Sequence, residues 1–121
     1  MANQLTNQEI QGEDYEVQYE PESNTVYFRG AIALGGPRDY APIVTLLNEV
    51  ADLKQPIMTL NLKELAFLNS SGISTLSKFV LGMRKKRGIQ LVVLGSKKMP
   101  WQNKSLKNLE RLLPGLKLVV Q

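Results

Sequence analysis

Two short apolar runs, Ile57–Leu62 (IMTLNL) and Ile89–Leu94 (IQLVVL), constrain this chain more than anything else in it. Runs of this length with few polar interruptions read as strands covered on both faces or nearly so. Between them Ile73, Leu76, Val80 and Met83 recur at three- and four-residue spacing, which is the stripe of a helix laid along a core. Strand, helix, strand is a crossover unit, and it calls for parallel pairing with a right-handed connection. Ile57–Leu62 is therefore expected at the centre of a sheet.

The flanking segments extend this pattern. Tyr15, Val17 and Tyr19 alternate with Glu16, Gln18 and Glu20, Pro21–Asn24 supplies a turn, and Thr25–Arg29 places Val26 and Phe28 on one face. These two runs read as an antiparallel hairpin at the sheet edge, with Tyr15–Glu20 outermost, so the oligomeric state is left open. Gly30–Pro37 leads into a helix expected over 39–54, with Ile43, Leu46, Leu47, Val50 and Leu53 inward. Lys63–Leu68 reads as a turn, and Asn69 or Ser70 as the N-cap of the second helix. Arg84–Arg87 would be the cations at that helix's negative end, and Gly88 its C-cap. A short helix at Ser105–Leu113, the break Pro114-Gly115 and a strand at Leu116–Val120 complete the order β-β-α-β-α-β-α-β. The expectation is a single α/β domain over 13–121, a mixed sheet with helices packed against it, preceded by a flexible tail over 1–12.

The chain has no cysteine and no histidine. That removes disulfides, thiolate and imidazole metal sites, and every Ser-His or Cys-His nucleophile pair. Neither a metal nor a cofactor is expected, and an enzyme is the least expected class. The start, MANQLTNQEI, has no basic segment and no apolar run, so neither a leader nor a membrane span is expected and a cytoplasmic protein is. Residues 1–28 carry six acids and no base, whereas 70–121 carry eleven Lys and Arg against Glu110 alone. A basic half is compatible with nucleic acid or an acidic partner. The run Arg84-Lys85-Lys86-Arg87, however, lacks an interleaved aromatic platform and reads as a solvated face, so nucleic acid is not the expected partner.

The sharpest motif is LNLKELAFLNSSGISTL, residues 60–76: an apolar strand, a turn, and a pair of serines at the mouth of a helix followed by glycine. It resembles the signature of the STAS domain, the module of anti-sigma factor antagonists and of sulfate-transporter tails, in which a strand leads to Asp-Ser-Ser/Thr-Gly and a helix. Gly30 stands where that family closes its second strand, and Leu109 and Leu113-Pro114-Gly115-Leu116 resemble its closing helix, turn and strand. The resemblance spans residues 14–120. It departs from the family at Asn69, which occupies the place of the usual acid.

The resemblance implies a non-enzymatic regulator of the anti-sigma factor antagonist type that binds an anti-sigma factor acting as a serine kinase. The kinase brings its own ATP and Mg²⁺, and a PPM-type phosphatase reverses the modification. By position the phosphorylated residue is Ser70, with Ser71 the alternative acceptor. The partner surface would comprise Gly35, Gly36, Arg38, Asn69, Ser70, Ser71, Gly72 and Ser74. Apart from any family, a phosphate at a helix N-terminus is compatible with the fold, because unpaired backbone N–H groups lie beside it. The rival reading is a constitutive scaffold or ligand-sensing module in which Asn69, Ser70 and Ser71 only cap a helix and Gly72 only permits close packing. Gly35-Gly36-Pro37-Arg38 lacks the spacing of a phosphate-cradling loop and reads as a flexible turn beside the serines. Trp101 reads as a cover for the core edge or an exposed anchor.

Overall fold

The computed structural model describes residues 6–121. Its elements run β1 (Gln8–Gln11), β2 (Tyr15–Glu20), β3 (Thr25–Ile32), α1 (Pro37–Asp52), β4 (Ile57–Leu68), α2 (Ser70–Gly82), β5 (Gln90–Gly95), α3 (Gln102–Leu112) and β6 (Lys117–Val120), with one turn of 3-10 helix at Met83–Lys85 extending α2. The strands form one sheet in the order β1-β2-β3-β4-β5-β6. Pairing is antiparallel from β1 to β3 and parallel from β3 to β6. The mixed α/β sheet with helices packed against it is thus the architecture that the crossover pattern predicts.

Because spatial order equals chain order, each of the three crossovers steps in the same direction. Connections of one hand then place all their helices on the same side of the sheet, and α2 lies between α1 and α3. The core sits between this layer and the sheet, where Val17, Val26, Leu47, Met58, Leu60, Leu62, Val80 and Val93 are fully buried. The expectation that β4 is covered on both faces is corrected accordingly. Met58, Leu60 and Leu62 are buried beneath the helices, whereas Thr59, Asn61 and Lys63 are only half-buried on the open face and Ile57 is 54% exposed.

β4 is also twice as long as Ile57–Leu62, because Lys63–Leu68 continues the strand rather than turning. Its pairing with β3 slips between Asn61 and Glu64 and again between Leu65 and Phe67. The first slip is stabilised by the Asn61 side chain, whose Oδ1 accepts the Lys63 N–H at 3.0 Å. Each bulge shifts the inward phase by one, so the buried set runs Leu60, Leu62, Leu65, Leu68, and the strict alternation that identifies a strand disappears. The buried Gln102 supports this irregular stretch: its amide donates to the carbonyls of Leu62 and Leu65 at 2.7 and 3.2 Å.

The expected tail is corrected in part. Residues 1–5 lie outside the described residues, but Gln8–Gln11 pairs with β2 through Ile10 opposite Val17, so β1 and not Tyr15–Glu20 forms this edge of the sheet. Helix α1 spans 37–52 instead of 39–54, since Pro37 supplies the first-turn φ without losing a hydrogen bond. α3 begins at Gln102, three residues earlier than its leucine stripe suggests. Gly88 has φ +85 but lies beyond the 3-10 turn, in the connection to β5, and does not cap α2 itself.

Gly30 is the glycine this sheet needs. It has φ +91, and a Cβ there would run into the Asp14 carbonyl oxygen. Gly36, by contrast, is extended with open space around it. Gly30→Ala is expected to lower stability by about 1–3 kcal/mol in urea denaturation, whereas Gly36→Ala shifts the midpoint little.

Candidate functional site

The two serines singled out above sit where β4 hands over to α2. Asn69 is the N-cap: its Oδ1 accepts the Gly72 N–H at 2.9 Å, satisfying a first-turn donor. The same oxygen accepts the Tyr40 hydroxyl from α1 at 2.5 Å. Its Nδ2 donates to the Leu34 carbonyl at 2.9 Å, and its backbone N–H donates to the Ile32 carbonyl at 3.1 Å. Tyr40 in turn accepts the Leu34 N–H at 3.4 Å. One side chain therefore joins the end of β3, the loop to α1, α1 itself and the start of α2. The Leu34 bond requires an amide, because a carboxylate would set oxygen against carbonyl oxygen.

Burial pushes the Tyr40 hydroxyl above its ordinary range; the Leu34 hydrogen bond pulls the other way and Tyr15 adds a smaller push upward. Gly72 is buried beneath this clasp, and a Cβ on it would strike the Leu68 side chain and the Tyr40 hydroxyl. Its place is packing, and it presents no surface to a partner, which corrects its inclusion in the expected partner face.

The remaining residues of that face divide by exposure. Ser70 is exposed on the first residue of α2, and Ser74 is exposed one turn further on. Ser71 is half-buried, and its carbonyl accepts the Thr75 hydroxyl at 2.8 Å. Gly35 and Arg38 are exposed, with the Gly35 N–H held by the Asp39 carboxylate at 3.2 Å; Gly36 is the N-cap of α1. The glycine loop is thus tied to α1 at one side of the clasp while the serines occupy the other. Among the described residues, no hydrogen bond joins Ser70 or Ser74 to a titratable side chain, and no cluster of acids that could hold a metal ion is present.

Two features were not foreseen. Phe67, at the end of β4 and three residues before Ser70, is 48% exposed. A groove of about 470 Å³ runs between α1 and α2, and Ser71, Ser74 and Thr75 form part of its wall. Neither has a sequence signature beyond outward-facing residues, since both are made by the spacing of elements.

Elsewhere the alternatives resolve towards structure. The Trp101 indole donates to the Leu65 carbonyl at 2.8 Å and covers the core edge. Arg84 donates to the Leu112 carbonyl at the end of α3 at 2.6 Å, and Lys86 pairs with Asp52 at 2.8 Å, so half of the basic run serves to join elements. Among the described residues no helix is long and apolar enough to cross a membrane.

Asn69→Asp is expected to cost about 1–3 kcal/mol by leaving the Leu34 carbonyl without its donor, read as a lower urea midpoint. Tyr40 and Tyr19 are both raised by burial, so the folded state holds protons that the unfolded chain releases. Their contribution is complete below about pH 10 and is lost as pH rises through the higher folded values. Alkaline titration of stability should therefore fall above about pH 10, and less steeply in Tyr40→Phe.

No protein-family model and no curated protein matches the sequence. Solved structures share its fold. SiaC of Pseudomonas aeruginosa superposes with a TM-score of 0.74 at 11% identity, covering 97% of this chain and 98% of that one. The complex of the diguanylate cyclase SiaD with its activator SiaC, from the same organism, gives 0.72 at 11% identity over 94% and 98%. An anti-sigma factor antagonist from Mycobacterium paratuberculosis gives 0.57 at 18% identity over 98% and 88%. At such identities the likeness is one of fold, and the fold of this chain is STAS-like.

Proposed function

We propose that the chain is a non-enzymatic regulator that acts by docking on a partner protein through the face around the N-terminus of α2, and that phosphorylation of Ser70 switches the docking off. The observation that carries this reading is that Ser70 is exposed on the first residue of α2, directly after the Asn69 clasp that fixes where the helix starts. Phe67, three residues earlier at the end of β4 and 48% exposed, offers an apolar anchor of the kind that contributes most to protein interfaces. The solved likenesses lend support, since one is the activator of a diguanylate cyclase and another an anti-sigma factor antagonist.

In the switch, a kinase partner transfers the γ-phosphoryl of its ATP to Ser70 Oγ, and a PPM-type phosphatase hydrolyses the ester. The product carries about −1.5 to −2 charge at neutral pH. Its position on the first residue of α2 places it beside helix N–H groups that accept an anion, so the fold persists. The partner surface that met a neutral hydroxyl now meets a dianion, and like charges brought together at an interface cost several kcal/mol. Ser71 is half-buried, which makes it the less accessible acceptor.

A constitutive scaffold is the second reading. The observation favouring it is that Asn69 and Gly72, half of the motif, are consumed by internal capping and packing. The two readings separate in one experiment: phosphosite mapping of protein from native cells, with affinity capture on wild type, Ser70→Ala and Ser70→Asp. The switch predicts phosphate on Ser70 and a partner retained by Ser70→Ala but weakened at least about tenfold by Ser70→Asp. Unmodified protein with the same partner on all three baits establishes the scaffold instead.

A further inference from the structure

The groove between α1 and α2 is open to solvent and its floor is apolar: Phe79 is 7% and Met83 4% exposed, and both line it. One wall is Ala41, Thr45 and Asn48 of α1 and the other is Ser71, Thr75 and Lys78 of α2. Both walls advance by three or four residues at a step, so the channel follows the helix axes. From Ser71 to Met83 it is about 18 Å long at 1.5 Å per residue, the length of roughly three helical turns. Apart from Lys78, the wall side chains named are short, which leaves room for a third helix to settle between the first two.

Charge selects among occupants. The charged residues lining the groove are Lys78 and Lys86. Lys86 is held by Asp52 at 2.8 Å, whereas Lys78 is exposed and enters none of the ion pairs among the described residues. A second copy of the chain has no spare amphipathic helix among its described residues, because α1, α2 and α3 each bury their apolar stripe in its own core.

We propose that the groove seats an amphipathic helix of a partner protein, with its apolar side on Phe79 and Met83 and a carboxylate against Lys78. This deepens the partner-docking reading, on which it rests, and gives the switch a physical target. Ser71 lies on the groove wall and Ser70 is its neighbour, so a phosphate there stands at the mouth of the seat and repels an acidic helix.

The test uses the purified full chain and fluorescein-labelled synthetic helices of about 18 residues, long enough to hold helical structure. Two probes share one leucine face, one flanked by glutamates and the other by lysines; dodecanoate is the third ligand. Anisotropy is expected to show the acidic probe binding at least about tenfold more tightly than the basic one. Thr45→Trp, which fills the groove from an exposed position, should abolish binding, and Asn48→Trp does the same should the first variant lose its far-UV dichroism. Lys78→Glu should erase the preference for the acidic probe, and Lys104→Glu on α3 should leave it intact. Equal affinity of the two probes, binding untouched by Thr45→Trp, no binding of the acidic probe, or binding of dodecanoate alone overturns the proposal. A cellular partner lost with Ser70→Asp yet retained by Thr45→Trp overturns the groove while leaving the switch standing.

Discussion

The side-chain amide of Asn69 joins three segments at one point: the loop after β3, the first turn of α1 and the first turn of α2. It uses acceptor and donor at once, and a carboxamide offers the two on separate atoms, so that each can face a different segment. The partners are themselves constrained. Tyr40 is buried, so its hydroxyl must be satisfied inside, and it can approach Asn69 only because residue 72 is glycine. The asparagine that departs from the family pattern is therefore tied to this chain's own packing, through a tyrosine on α1 and a glycine on α2. An aspartate at this place would require a different partner at Leu34.

With that clasp closed, the first turn of α2 is held against α1. The layer has this form because three crossovers step the same way across the sheet, leaving every helix on one side. A single layer of three helices over six strands leaves two kinds of surface unpaired: the open face of the sheet and the furrows between helices. On the open face Arg29 lies over the Tyr27 ring and reaches Glu16 and Glu64, so polar side chains finish that surface. The furrow between α1 and α2 is finished differently, with buried Phe79 and Met83 at its base and, on its wall, Lys78, which enters none of the ion pairs among the described residues.

What the sequence discloses and what it hides follow from where the apolar residues fall. Helices α1 and α2 were legible because Ile43, Leu46, Leu47 and Val50, then Leu76 and Val80, repeat at helical spacing and face one core. β1 was hidden because its one apolar residue, Ile10, offers no period to detect; pairing with an already formed hairpin defines it. The second half of β4 was hidden because two bulges break the alternation, and the supports of those bulges, Asn61 and Gln102, read as ordinary polar residues. At the site, the serines were legible as a motif and Asn69 as a cap. Its bonds to Tyr40 and Leu34 span 29 and 35 residues of chain, beyond any local pattern.

The distribution of charge supplies a last step. Six acids cluster in the first 28 residues and most bases follow residue 70, and the fold keeps these groups apart: β1 and β2 form one edge of the sheet while α2 and α3 lie in the helix layer toward β4–β6. Separated charge of this kind steers an approaching partner more than it stabilises a complex, because exposed charges act over about a Debye length of 8–10 Å and are screened beyond it. An acidic partner element is drawn to the helix layer and turned away from the β1–β2 edge. A dianion on Ser70 places negative charge at the start of α2, on the same helix as Lys78, about 12 Å away in axial rise and so little more than one Debye length. One covalent change then acts on both encounter and seating, with the helix, its cap and the core beneath it left as they were.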